Sequence, residues 1–167
     1  MVLTNNRLSL LRRGGLVRTV VPLELPRDYQ LELRVTPRES NGLLLGIPIG
    51  GRSCMLTIDG FHGFEGGIRT ALETIDNRRP HDLGYPGTAK FGQLMKHDVE
   101  SRLIVRVVGQ SMTLTCDGKL VLDWNDDVSR LGVYPLFDAG QPGRMFLASW
   151  AARYDLTSVT LQPLDAR

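Results

Sequence analysis

The side chains able to do chemistry crowd into one stretch of this chain. Thr57-Ile58-Asp59-Gly60-Phe61-His62-Gly63-Phe64-Glu65-Gly66-Gly67-Ile68-Arg69 carries two carboxylates, a histidine, an arginine, two phenylalanines and four glycines. Asp, His and Arg groups can exchange hydrogen bonds with sugar hydroxyls, and Phe61 offers an apolar face. The glycines would let a ligand approach the backbone closely. A glycine-rich hairpin with polar residues on its surface has the same composition. Just downstream, 75–99 breaks the rhythm of the chain with Pro80, Gly84, Pro86, Gly87 and Gly92. Irregular segments this long often carry function. Where the two stretches meet, the expected ligand-binding set is Asp59, His62, Glu65, Arg69, Arg78, His81 and Tyr85.

Other chemistries find less support. Glycoside hydrolysis normally needs two carboxylates flanking the bond. Asp59 and Glu65 are separated by glycines and do not share a strand face, and the Asp126-Asp127 side chains diverge, so no catalytic residue is assigned. No Gly-x-x-x-x-Gly-Lys phosphate loop and no nucleophile elbow is present. His62, His81 and His97 have no ligand spacing, so neither a metal nor another cofactor is expected. Cys54 and Cys116 lie in apolar strand patterns, as free buried thiols or as a disulfide. Trp124 and Trp150 could stack on a sugar. Each shares a strand face with apolar neighbours, Leu120 and Leu122 for the first, Phe146 and Ala148 for the second, so a core role is expected for both.

Composition narrows the partners. Lys+Arg is 20 and Asp+Glu 18, a net charge of +2, without the basic stripe of a nucleic-acid binder. Arg7, Arg12, Arg13 and Arg18 form one basic cluster, expected on the solvated face of two strands. Those arginines also interrupt the apolar N-terminus, so no secretion signal is expected there. No run of about 20 apolar residues could insert in a membrane. The expected partner is a carbohydrate or protein ligand; compartment and oligomeric state are not legible.

The elements that must position these residues are strands. Leu31, Leu33 and Val35 alternate with Gln30, Glu32, Arg34 and Thr36, a period of two that marks a half-buried strand. Gly42–Ile49 is a more apolar run in which Gly46 and Pro48 suggest a bulge or an edge, and Ser53–Asp59 alternates with Cys54, Leu56 and Ile58 on one face. Arg102–Val108, Met112–Cys116 and Leu120–Trp124 form a meander, with Asp117-Gly118 as a tight turn. Further strands are expected at Arg7–Leu11, Leu16–Val21, Phe64–Thr70, Gly132–Phe137, Met145–Trp150 and Tyr154–Leu161. Helix is expected at most at Thr70–Asp76 and in a turn near Asp126–Arg130 capped by Asp126. The pattern is that of an all-β sandwich forming one domain over residues 1–167. Its expected core includes Leu31, Leu33, Val35, Leu103, Val105, Val107, Leu114, Leu120 and Leu122.

A family resemblance rests on the same strands. Glu100-Ser101-Arg102-Leu103-Ile104-Val105-Arg106-Val107-Val108-Gly109 leads into Met112-Thr113-Leu114-Thr115-Cys116-Asp117-Gly118-Lys119-Leu120-Val121. The chain closes on Tyr154-Asp155-Leu156-Thr157-Ser158-Val159-Thr160-Leu161, and Leu25-Pro26-Arg27-Asp28-Tyr29-Gln30-Leu31 comes early. This arrangement resembles the concanavalin A-like lectin/glucanase superfamily, especially bacterial laminin-G-like and keto-disaccharide-hydrolase-like domains. The resemblance implies a two-sheet antiparallel jelly-roll sandwich with ligands on the concave face or the rim loops. It also implies a non-catalytic, lectin-like carbohydrate-binding or recognition module. A sugar-processing hydrolase and a protein-interaction or assembly domain are the alternatives. The glucanase branch's Glu-x-Asp-x-x-Glu motif is absent, and the oxygen-rich loop that would let Asp59 or Asp98 hold calcium is not evident.

Overall fold

The computed structural model describes residues 2–4, 7–10, 15–39, 41–138 and 143–164. Its strands are β1 (Val2–Thr4), β2 (Arg7–Leu10), β3 (Leu16–Glu24), β4 (Tyr29–Glu39), β5 (Leu43–Ile49), β6 (Arg52–Gly60), β7 (Arg69–Leu72), β8 (Thr74–Ile75), β9 (Lys90–Phe91), β10 (Ser101–Val108), β11 (Ser111–Cys116), β12 (Lys119–Asn125), β13 (Leu131–Gly132), β14 (Arg144–Trp150) and β15 (Arg153–Pro163). A seven-stranded sheet runs β1-β2-β15-β4-β10-β11-β12, and a six-stranded sheet runs β3-β14-β5-β6-β7-β9; β13 and β8 form a small ribbon. All pairings are antiparallel. The expected all-β, two-sheet jelly-roll sandwich is therefore the fold. Leu11, Arg12 and Arg13 lie outside the described residues. No helix among the described residues is long and apolar enough to cross a membrane.

The main core lies between the sheets. Val105 on β10 sits opposite Leu31 on β4 and Leu114 on β11, so one inward stripe runs across three strands. Leu33, Val35, Leu103, Val107 and Leu122 join it, all buried. The six-stranded sheet differs because it is covered on both faces. Leu43, Leu45 and Ile47 of β5 and Met145 and Leu147 of β14 face the main core. Their alternates Leu44, Phe146 and Ala148 form a second cluster with Met55 and Phe137. β5 lies between β14 and β6 with no break in register, so Gly46 marks neither the expected bulge nor an edge; it makes the double cover possible, because a Cβ there would stand 1.9 Å from the Phe146 ring. A strand buried on both sides reads as a continuous apolar run rather than an alternating one, as Gly42–Ile49 does.

The Asp117-Gly118 turn forms as expected, with φ of 49° and 78°; glycine meets the second requirement without a Cβ clash. Past the turn, however, the register shifts. Leu114 pairs with Leu122 while Thr115 pairs with Leu120, leaving Val121 as the extra residue of a bulge. Leu120 is thereby turned outward and is 62% exposed, against the expectation that it is core. Other expectations are corrected as well. Residues 64–67 form turns instead of the start of a strand, because Phe64 N–H bonds the Phe61 carbonyl and Gly67 N–H that of Phe64. Thr70–Asp76 is β7 and β8 rather than helix, held by pairing with β6 and β13. Gly132–Phe137 ends its pairing at Gly132, and Pro135–Phe137 is a 3-10 turn. The Val128–Arg130 3-10 turn is capped by Asp127, not Asp126. Cys54 and Cys116 are free and buried, and burial pushes the Cys54 thiol up to about 12.

Truncation should separate the two kinds of position. Val105→Ala, which removes buried methyl groups, should cost about 1–3 kcal/mol in urea unfolding. Leu120→Ala should stay within about 0.5 kcal/mol. Equal losses would contradict the bulged register.

Candidate functional site

On the side of the six-stranded sheet turned away from the main core, alternate residues of adjacent strands meet. Leu44 of β5, Thr57 of β6 and Trp150 of β14 contribute, together with Glu73 at the break between β7 and β8. They line a cleft of about 270 Å³. Glu73 is only 1% exposed. Its Oε2 accepts from Thr57 Oγ1 at 2.6 Å, and its Oε1 accepts from Arg79 Nε at 2.7 Å and also from Arg79 Nη2. Burial lifts the Glu73 carboxyl above its ordinary 4.5, opposed by the Thr57 hydrogen bond and the Arg79 charge. The guanidinium of Arg79 lies over the Tyr134 ring at 4.0 Å.

Two aromatic walls flank this polar floor. One is the 3-10 turn, with Tyr134 5.9 Å from Phe137 and Phe137 edge-on to Trp150 at 6.2 Å. Arg18 Nη1 ties that turn down through the carbonyls of Phe137, at 3.0 Å, and Asp138, at 2.6 Å. The other wall is the 61–67 turn, where Phe61, His62 and Phe64 line the cleft and Phe64 stacks on His81 at 4.2 Å. Trp150 is 40% exposed and Phe64 46%. The core role expected for Trp150 is thus corrected. Phe146 and Ala148 on its face are buried by the 3-10 turn, but at the strand end that cover gives way to the cleft. Trp124 is buried in the main core as expected.

The seven residues singled out in the sequence are distributed as follows. Asp59 is fully buried, with φ of 51°, and its two carboxylate oxygens accept from the backbone N–H of Leu94 at 2.7 Å and Met95 at 2.8 Å. Burial raises its pKa against those two bonds. His62 lines the cleft, with Nε2 2.9 Å from the Asp59 carbonyl oxygen. Arg69 is buried and has three carbonyl partners, donating to Pro80 at 2.6 Å, to Gly67 at 3.2 Å and to Glu65, with Phe61 and Phe91 beside it. It thereby ties the 61–67 turn to the long loop. The Glu65 side chain is exposed. Arg78 donates to the carbonyls of Leu83 and Gly84 at the surface. His81 backs Phe64, and burial lowers its pKa, as does the charge of Arg79. Tyr85 donates to the Leu72 carbonyl at 2.5 Å, and burial pushes its hydroxyl up. The two stretches do pack together, yet only His62 of the seven lines the cleft.

Sequence reasoning missed Glu73, Arg79 and Tyr134. A signal for them existed in Gly42–Ile49, since a strand apolar on both faces implies a covered second face. Asp98, weighed for calcium, pairs with Arg38 at 2.7 Å and with His97 at 2.9 Å. Among the described residues, no three His, Cys, Asp or Glu side chains gather so as to hold a metal ion.

Because folding raises the Glu73 pKa, the folded chain holds that proton more tightly than the unfolded chain does. Its contribution to stability is therefore greatest below pH 4.5 and is lost as pH rises through the folded value. Glu73→Gln cannot titrate. Between about pH 4 and about pH 7, urea unfolding should show wild-type stability falling relative to the variant. A constant difference across that range would contradict the buried carboxyl.

No protein-family model matches the sequence, and no curated protein matches it. Solved structures do match. The VIP36 exoplasmic/lumenal domain in its metal-free form superposes with a TM-score of 0.70 at 11% identity, over 99% of this chain and 83% of that one. The Emp46p carbohydrate recognition domain gives 0.63 at 11% identity, over 96% and 84%. The carbohydrate-binding module CBM66 from Bacillus subtilis gives 0.54 at 16% identity, over 90% and 84%. Identities this low speak to architecture alone, and the architecture is plain: the chain has the concanavalin A-like lectin fold.

Proposed function

We propose that the chain, as one domain over residues 1–167, is a non-catalytic module that binds neutral carbohydrate in this cleft. The observation that carries the reading is the combination of exposed aromatic rings, Trp150 and Phe64, with a polar floor whose charges cancel between Glu73 and Arg79. A pyranose has the matching surface: an apolar C–H face to lie against a ring, and hydroxyls at its edge to exchange hydrogen bonds. A net-neutral floor favours an uncharged ligand. Superposition on carbohydrate recognition domains supports the same reading at the level of the fold.

Of the residues singled out in the sequence, the proposal makes His62 a direct ligand group and Glu65 a group at the rim. Arg69 and His81 support the Phe61–Phe64 wall, while Asp59, Arg78 and Tyr85 brace the loop behind it. A hydrolase of the keto-disaccharide type fits less well. Glu73 is the one carboxylate among the described residues lining the cleft, it is already bonded to Thr57 and Arg79, and glycoside hydrolysis normally uses two.

Each sugar contact replaces one with water, so affinity should fall around micromolar to millimolar. A glycan screen followed by calorimetric titration tests the proposal. Trp150→Ala should weaken binding by about tenfold or more, through loss of the stacking face, in a variant that circular dichroism shows to be folded. Unaltered binding by this variant would move the ligand elsewhere. Failure to bind any neutral glycan would overturn the reading in favour of a protein ligand.

A further inference from the structure

We infer that Arg79 determines which sugar the cleft accepts, by donating from the outer edge of its guanidinium, where Nη1 and Nη2 each present an N–H, to two neighbouring oxygens of a neutral pyranose. The inference rests on the carbohydrate reading and adds to it the group that reads stereochemistry.

Two contacts fix the side chain, and a third fixes its backbone. Its Nε and one N–H of Nη2 are spent on Glu73 Oε1, its face lies on Tyr134 at 4.0 Å, and its own backbone N–H donates to Asp82 Oδ2 at 2.7 Å. Glu73 is immobilised in turn by Thr57 at 2.6 Å. The guanidinium plane is therefore set along one edge and across one face. Among the described residues, Nη1 has no hydrogen-bond partner, and the side chain is still 20% exposed where it lines the cleft. A guanidinium carries five donors in a rigid fork. With the fork held, one N–H of Nη1 and the remaining N–H of Nη2 run parallel along the outer edge, and they suit vicinal oxygens in one relative configuration better than in the other. A sugar that lacks one of those oxygens, or inverts it, would leave a desolvated donor unpaired, which is the strongest source of discrimination between similar ligands. Because Glu73 already balances the charge, a uronic acid should gain nothing over its neutral parent.

The test begins with methyl glycosides of glucose, mannose and galactose, titrated against the intact chain by calorimetry. Monodeoxy analogues of the tightest binder follow. Wild type should lose about 10- to 100-fold in affinity for the analogue missing the hydroxyl that Arg79 reads. Arg79→Lys keeps the charge but not the fork, and should bind parent and analogue alike. Should that variant fail to fold, Tyr134→Leu frees the guanidinium face without altering its charge, and should blunt the same discrimination. Undiminished discrimination in a folded Arg79→Lys overturns the assignment and leaves the carbohydrate reading standing. Preference for glucuronate over glucose overturns the neutral-ligand element. Absence of binding to any of these glycosides, with other neutral glycans also inert, overturns the parent reading and the inference with it.

Discussion

A carboxylate withdrawn from water must be neutralised or fully hydrogen-bonded. Glu73 sits under that constraint, and the surroundings of the cleft follow from it. Meeting its need brings together Thr57 from a central strand and Arg79 from the long loop. Arg79 then seats Tyr134, which belongs to a segment more than fifty residues further along. Pieces distant in sequence are thus drawn to one point by a single buried charge. A second cation does comparable work nearby with no carboxylate at all. Arg69 is satisfied by backbone carbonyls, so it orders a glycine-rich turn whose own side chains could not.

The sheet beneath gives these contacts a rigid base. Because both faces of β5, β6 and β14 are packed, their residues have little room to shift, and the glycine at 46 lets an aromatic ring lie across the strand. Site residues anchored on such strands are held more closely than residues on loops alone. The walls are looser in kind, being turns fastened by Arg18 on one side and Arg69 on the other. The cleft therefore combines a fixed floor with sides that are fastened at a few points.

The central strands of the seven-stranded sheet were legible residue by residue, because Leu31, Leu33, Leu103, Val105 and Leu114 obey a period of two that only one half-buried arrangement satisfies. The Asp-Gly turn was legible for the same local reason. Leu120 was not, since a bulge is a property of a pair of strands and leaves no mark on either alone. The site was legible only in part. The glycine-rich stretch advertised itself by composition, and it does form one wall. The floor did not, because Glu73 and Arg79 look like ordinary surface charges until β6 and the loop that follows β8 are folded against the break between β7 and β8. Trp150 misled by keeping company with Phe146 and Ala148, which are buried, whereas Phe137 covers Trp150 only in part.

The bulge at Val121 bears on how the molecule meets copies of itself. Among the described residues, β12 is an edge of the seven-stranded sheet, with no strand paired along one side. A flat, apolar edge of that kind would template a further strand from a neighbouring chain. Here the extra residue breaks the regular spacing of the ladder, and Lys119, Asp123 and Asn125 are exposed along the same strand. Leu120, which that distortion pushes into solvent, sits between the charged Lys119 and the irregularity itself. That end of the seven-stranded sheet, with a well-formed interior behind it, is thus an edge that resists open-ended stacking.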